Sequence, residues 1–534
     1  MTNDDARGSG IRDPGIAAFA IAIICAAAIV PYLSTVDDYF VRDDFGVVQL
    51  LAQKPWSYFP RWFYTSWMDQ IWGFTPDEVR PFPAVSYQLT ALGGAASPVL
   101  HHLFNIAVHA VNGLLVFWIA RSAASLRAPM AAFAAVVFVV LPVHTESVAW
   151  ITGRVDSLPA LFYLASFLAY ARWRGSGSAR SNLYVASLAL FFAALFTKQN
   201  TITMVGTIGA YDVLVRRIPL RPPGAFIKPY VPFVAMTLGY LWLRYELFGQ
   251  MAREGSLGAG ALTNFAALVQ HHLKHVVLGS SGASTMALWS FLVGVMLIVS
   301  FAKGRGRELI YFGPVWWIIG VAPTGVAGYS SPRHVYLAAV GWAITLAAVL
   351  DGFISAHPHV RRRIGLAMGG LVLVAYVMQL HGSVREWNTI AAVSRKAVID
   401  AREAALAAPP GTLVVLGAPA RSWEWALPFA VAPPFSSPDI VGRVAVISPR
   451  ALSCCAPQWA DDTRDALRRW SSGASRDSVI ALRWNERTGE LYRATTADKP
   501  ELPVLFRSLL DIPRAEDIDT NIRRMVAELT KAVE

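Results

Sequence analysis

Through its first 382 positions the chain alternates long apolar runs with short polar stretches, and most runs are near the length that crosses a bilayer as a helix. The pattern predicts about eleven spans, at 16–35, 101–121, 129–147, 157–173, 182–198, 200–215, 227–246, 284–302, 308–327, 334–353 and 364–381. Only Lys198, Gln199 and Asn200 separate the fifth and sixth, which therefore form a tight hairpin or a broken helix. Residues 36–100 interrupt the series. They carry Trp56, Trp62, Trp67 and Trp72 with Tyr58, Tyr64 and Phe82, amphipathic rings suited to a lipid–water boundary, and predict short helices lying on the membrane. Residues 262–277 have apolar positions at near-helical spacing and a polar face, the signature of a second interfacial helix.

After residue 382 the pattern changes. Residues 385–407 read as a helix, Thr412–Leu416 and Arg443–Ile447 as short buried strands, 478–493 as a hairpin turning at Asn485–Gly489, and 514–532 as a terminal helix. No repeat of helical-hairpin length recurs there. The predicted architecture is a polytopic α-helical membrane domain, 1–382, followed by a small α/β domain, 383–534.

Composition supports this division. Of 534 residues, 54% are hydrophobic and 16% charged, against about 25% charged in soluble domains. Net charge is +11, which alone could suggest nucleic acid, but the basic residues cluster between apolar runs. Arg121 and Arg127; Arg172, Arg174 and Arg180; Arg216, Arg217 and Arg221; Lys303, Arg305 and Arg307; and Arg361, Arg362 and Arg363 all fall on one side if the N-terminus is inside. The positive-inside rule makes that side cytoplasmic and places 36–100, 148–156, 247–283, 328–333 and everything after 382 outside. The partner implied is the membrane, not nucleic acid. Residues 16–35 read as a retained first span, since no Lys/Arg-led signal pattern precedes them. The cysteines add little: Cys25 lies in an apolar run, adjacent Cys454 and Cys455 have poor disulfide geometry, and no zinc spacing exists.

Candidate chemistry gathers at the outer ends of the predicted spans. Asp37, Asp38, Asp43 and Asp44 follow the first span within eight positions. Carboxylates at a membrane surface suggest chemistry on a lipid-borne substrate; the bland alternative is a solvated acidic turn. Arg80-Pro81 lies late in the outer loop. His101, His102, Asn105 and His109 follow at helical spacing, Pro142-Val143-His144-Thr145-Glu146-Ser147 ends the third span, and Gly153-Arg154-Val155-Asp156 opens the fourth. Lys198-Gln199 and Ser331-Pro332-Arg333-His334 mark two further turns. Ionisable groups near lipid are costly, so their convergence on one wet cavity is expected over separate exposure.

In order, Asp43-Asp44, Arg80-Pro81, His102-Leu103-Phe104-Asn105, Pro142–Ala149, Gly153-Arg154-Val155-Asp156, Lys198-Gln199, Tyr211-Asp212, Arg333-His334-Val335-Tyr336-Leu337 and Arg385-Glu386-Trp387 resemble the membrane portion of the TPR-containing transmembrane O-mannosyltransferases. Those enzymes are GT-C glycosyltransferases, as are the protein O-mannosyltransferases. The resemblance covers roughly 36–390, and the Pro-Val-His-Thr-Glu segment with the following Gly-Arg-x-Asp is its most specific part. Two departures stand out. The family has Lys-Glu where this chain has Lys198-Gln199, and the TPR array is replaced by the C-terminal segment.

The resemblance implies a lipid-linked sugar donor, a polyprenyl phosphate, used at an outer-face active site. The expected reaction is an inverting, metal-independent transfer to a hydroxyl of a protein or glycolipid. Asp44, favoured over Asp43, would be the general base. Arg333, with Arg154, His144 and Lys198 behind it, would stabilise the leaving phosphate. Glu146, Asp156, Arg80 and His102 would orient these groups. No metal or other cofactor is expected; a divalent ion on Asp43 and Asp44 is the disfavoured variant. The Ala- and Arg-rich composition points to a bacterial inner membrane, with the N-terminus cytoplasmic and the C-terminal segment periplasmic. The competing readings are a transporter or flippase of lipid-linked intermediates, which would need midplane polar groups and often internal repeats, and a non-catalytic scaffold.

Overall fold

A computed structural model describes residues 14–407, apart from 70–75, 178, 252–260, 280–283, 289–290, 293–294, 296–306, 328–330 and 357–359; beyond 407 it describes 413–416, 426–440, 444–447, 480–485 and 488–494. The chain divides into two compact units, one of residues 1–35, 79–83 and 102–385, the other of 36–78, 84–101 and 386–534.

The first unit is helical. Helix α1 (Pro14–Ile29) is almost wholly apolar and tightens into a 3₁₀ turn over Val30–Thr35. Helix α2 (Asp44–Ala52) and most of α3 (Pro81–Ala91) belong to the second unit; in the first, the buried Asn105 amide of α4 (Val99–Ser122) donates to the carbonyls of Trp150 at 3.0 Å and Ile151 at 3.2 Å. Helix α5 (Ala128–Val140) stops where Leu141 turns extended ahead of Pro142, which restricts its predecessor and has no N–H to continue the ladder. The chain resumes after a 50° bend as a 3₁₀ turn, Pro142–His144, and α6 (Thr145–Ala149). The single span expected over 129–147 is thus broken at its proline. Helix α7 (Arg154–Gly175) follows Gly153, where an added Cβ would lie 2.1 Å from the carbonyl oxygen of Glu146. Only glycine permits that approach, which holds α6 against the start of α7.

Helix α8 (Ser181–Leu195) ends before Lys198. A 3₁₀ turn (Gln199–Thr203), α9 (Met204–Ala210) and a π turn (Tyr211–Val215) follow, so 182–215 is a helix, a turn and an irregular second helix. At the π turn the fully buried Asp212 accepts hydrogen bonds from Tyr170 Oη and Tyr230 Oη, both at 2.6 Å, and from Arg174 Nη2 at 2.5 Å. Then come α10 (Pro223–Ile227), α11 (Val231–Phe248), α12 (Ala261–Leu278), α13 (Arg307–Ala327) and α14 (Ala339–Ala356). Helices α13 and α14 meet almost backbone to backbone: a Cβ on Gly341 would stand 2.3 Å from the Gly313 oxygen. Small residues give such close packing in lipid, where helix association depends on van der Waals contact.

Helix α15 runs unbroken from Val360 to Ala407. The span expected over 364–381 and the helix expected over 385–407 are therefore one element, because no proline intervenes to end it. Among the described residues, three segments are long and apolar enough to cross a membrane: Gly15–Thr35, Val99–Ser122 and Arg362–Ala407. The bent pair Ala128–Val140 and Pro142–Ala149 adds a fourth. The other described apolar runs form shorter helices, such as Ser181–Leu195, or helices with charged ends, such as Arg154–Gly175. The span expected over 284–302 lies largely outside the described residues.

In the second unit, the outer loop forms α2, a 3₁₀ turn over Trp56–Phe63, and most of α3, the short helices expected from its aromatic pattern. Phe40, Phe45 and Phe435 pack edge to face, with Phe435 4.9 Å from Phe40 and 5.0 Å from Phe45 between ring centroids. Ser394 Oγ donates to the Phe40 carbonyl at 2.6 Å. The strands are β1 (Leu413–Leu416), β2 (Val444–Ile447), β3 (Ile480–Asn485) and β4 (Glu490–Ala494), in the order β2-β1-β3-β4. Strand β1 runs parallel to β2 and β3, while β3 and β4 form the expected hairpin. Gly489 supplies its positive φ of 66° and donates to the Asn485 carbonyl at 2.8 Å. The helix expected over 514–532 lies outside the described residues.

Candidate functional site

The first unit holds a buried ionic network built from four separate turns. Breaking α5 at Pro142 puts Glu146 at the start of α6, and Gly153 seats α6 beside the first turn of α7, which carries Asp156. The turn after α8 contributes Lys198, and the turn before α14 contributes Arg333. Pro332 opens that last turn, capped by Ser331, whose N–H donates to His334 Nδ1 at 3.2 Å.

Lys198 Nζ pairs with Asp156 Oδ1, and their side chains are 10% and 2% exposed. Arg333 Nε stands 3.3 Å from Asp156 Oδ2, and Arg333 Nη1 donates to Glu146 Oε1 at 2.8 Å. Glu146 Oε2 accepts from Ser331 Oγ at 2.5 Å and from the Arg333 backbone N–H at 3.2 Å. The Arg333 guanidinium lies 4.9 Å over the Trp150 ring, which leaves its plane fixed. Arg80 is buried and reaches Gln199 Oε1 at 3.5 Å. Arg80, Lys198 and Arg333 thus bring three cationic side chains to the site that holds Glu146 and Asp156.

Burial lowers the pKa of Lys198; the Asp156 carboxylate opposes that shift, and Arg80 and Arg333 add to it. Burial also drives His334 well below the ordinary imidazole range, helped by Lys198 and Arg333, so it is neutral. Its Nδ1 accepts from Ser331, which places the proton on Nε2.

The structure therefore joins Arg80, Glu146, Asp156, Lys198 and Arg333. Arg154 is fully buried, its guanidinium 4.9 Å over Phe104 and its Nε donating to the Ile151 carbonyl at 3.3 Å. His144 is also fully buried, 4.3 Å from Tyr336 and 4.6 Å from Phe138 between ring centroids. His102 is buried on α4.

Asp43 and Asp44 belong to the second unit. Asp44 is 1% exposed at the start of α2 and accepts the Val41 backbone N–H at 2.9 Å; Asp43, half-buried, precedes the helix. Nearby Asp38 is raised to about 6 by burial and by the charge of Asp37. No group of three or more metal-binding side chains occurs among the described residues. Within the Ser331–His334 turn the sequence assigns a role to Arg333 alone, not to Ser331 or His334. Both flank Arg333 in a Ser-Pro-x-His turn, a capping pattern that the sequence displays.

No family model matches the chain. It is 35% identical to the protein O-mannosyl-transferase Tmtc2 of Drosophila melanogaster over 213 residues, 37% of this chain and 22% of that protein. It is 30% identical to the human protein O-mannosyl-transferase TMTC4 over 220 residues, 37% of this chain and 29% of that protein. The matches span under a third of those relatives' own length. The fold resembles ArnT from Cupriavidus metallidurans, solved bound to undecaprenyl phosphate, with a TM-score of 0.51, 13% identity, and coverage of 89% of this chain and 94% of that one. The same protein in the apo state gives a TM-score of 0.50. The resemblance read from the motifs thus holds on two independent grounds: the chain is similar in sequence to the protein O-mannosyl-transferases and shares its fold with ArnT.

Proposed function

We propose that this chain is a membrane glycosyltransferase that moves a sugar from a polyprenyl-phosphate donor to a hydroxyl of a protein or glycolipid at the outer membrane face, with inversion. The observation that carries the reading is the buried network of Arg80, Lys198 and Arg333 with Glu146 and Asp156. A cation-rich, partly desolvated site is what a lipid phosphate needs as its charge develops on leaving. Arg333 is the foremost phosphate ligand because its planar fork suits bidentate recognition, and Lys198 is the second. Glu146 and Asp156 orient these cations. Arg154 and His144 are each packed against aromatic rings and rank behind them.

For the general base we propose Asp44 over Asp43. Its carboxylate is buried and oriented by the Val41 N–H. Similarity to protein O-mannosyl-transferases makes mannose the first sugar and a protein hydroxyl the first acceptor to test, and the fold shared with ArnT supports a polyprenyl-phosphate donor. The charge pattern of the loops supports a cytoplasmic N-terminus, with residues after 382 outside.

The test is transfer from radiolabelled polyprenyl-phosphate sugars in membranes carrying wild-type protein, Asp44→Asn or Arg333→Gln. Loss of the base should lower turnover by about 10²–10⁴-fold. Full transfer by both variants, at equal protein level, would remove these residues from the reaction.

A further inference from the structure

Helix α12, which carries His271, His272 and His275, is not absorbed by the mechanism above. It packs on both the Pro332–Val335 turn and the Pro142–His144 turn, the segments that present Arg333 and lead into Glu146. His271 and His275, four residues apart, face one another with ring centroids 5.0 Å apart. His272 is different: it is 1% exposed, and among the described residues neither Nδ1 nor Nε2 has a hydrogen-bond partner.

A buried imidazole with both nitrogens unmatched is costly and calls for a partner beyond those the described residues supply. Its neighbours indicate where that partner sits. His272 lies close enough to His334 to disfavour its protonation, as Lys198, Arg333 and Arg80 do. His275 feels the charge of Glu146. Burial, with His271 and His275 beside it, pushes His272 down to about 4, on the neutral side of the ordinary imidazole range. A neutral imidazole offers one N–H donor and one acceptor.

We propose that His272 is a donor-binding residue that gives a ring N–H to a phosphate oxygen of the polyprenyl-phosphate sugar alongside Arg333 and Lys198. This assignment rests on the glycosyltransferase reading above and adds a third, uncharged ligand to its phosphate site. The neutral donor binds the phosphate without a further positive charge that would repel Arg333 and Lys198.

The experiment measures binding of undecaprenyl phosphate, and of undecaprenol as the probe without phosphate, to the full-length protein in nanodiscs. The proteins compared are wild type, His272→Phe, His272→Gln and Arg333→Gln. Thermal unfolding of each variant reports whether it is folded. His272→Phe should weaken undecaprenyl phosphate about tenfold and leave undecaprenol unchanged. His272→Gln, which keeps an N–H donor, should bind within about threefold of wild type, a rescue that a purely packing role would not give.

The inference is overturned if His272→Phe binds the phosphate as wild type does while Arg333→Gln does not; a buried water would then satisfy His272. Equal weakening of both lipids by His272→Phe would also overturn it. If wild-type protein fails to distinguish the two lipids, the phosphate-site reading itself falls, an outcome separable from the first two.

Discussion

Replacing Asp156 by asparagine isolates the centre of the ionic network. The Asp156 carboxylate is 2% exposed and faces two cations, Lys198 through Oδ1 and Arg333 at 3.3 Å through Oδ2. Without it, two positive groups confront each other in a site that hydrates them poorly. Removing one partner of a buried pair costs about 3–5 kcal/mol, most of it the penalty of the charge left behind. Arg333 retains Glu146, and Lys198 loses the carboxylate it pairs with, so the penalty falls mainly on Lys198.

A double-mutant cycle follows from this. Asp156→Asn should destabilise by that amount, and adding Lys198→Met should restore a large part of it, with a coupling of about 1–3 kcal/mol. Reversible unfolding in mixed micelles, followed by circular dichroism, provides the measurement. The sign with pH is also fixed. Lys198 already has a lowered pKa, so the unfolded chain binds more protons than the folded one. Stability from this group therefore rises with pH between its lowered folded pKa and 10.5, and over a wider range in Asp156→Asn, where the carboxylate no longer opposes the shift. A destabilisation below about 1 kcal/mol, or singles and double that simply add, would refute a buried ion pair at this position.

Two further outcomes are expected. Gly153→Ala would drive a methyl into the Glu146 carbonyl, so it should lower stability by about 1–3 kcal/mol and weaken donor binding; unchanged unfolding and binding would show that α6 and α7 are not held as described. Asp38 has a folded pKa of about 6 against an ordinary 3.8, so its stabilising protonated form is lost as pH rises through 6. Asp38→Asn should flatten the decline in thermal stability between pH 4 and 7 that this predicts; an unaltered profile would count against a half-buried carboxyl there.

What could be read from the sequence was local. Strands β1 and β2 appeared as isolated β-branched and leucine runs, and the β3–β4 hairpin as alternation around Asn485–Gly489, because backbone propensity and turn chemistry are encoded within a few residues. The charged positions of the network were legible for a different reason: ionisable residues are expensive beside lipid and therefore stand out in an apolar chain. The break at Leu141-Pro142 was written in its proline, but an apolar average over 129–147 concealed it. The inward face of His272 and the enclosure of His144 depend on which helices pack against them, and hydropathy carries no such information.

The Asp212 knot bears on how the chain enters the membrane. A carboxylate in an inserting helix costs up to about 2.5–3.5 kcal/mol at the bilayer centre and less toward its edge. The groups that satisfy this one, Tyr170, Arg174 and Tyr230, come from segments made before and after it. The segment around Asp212 thus depends on α7 and on the turn before α11 to satisfy a carboxylate that it would otherwise carry unpaired.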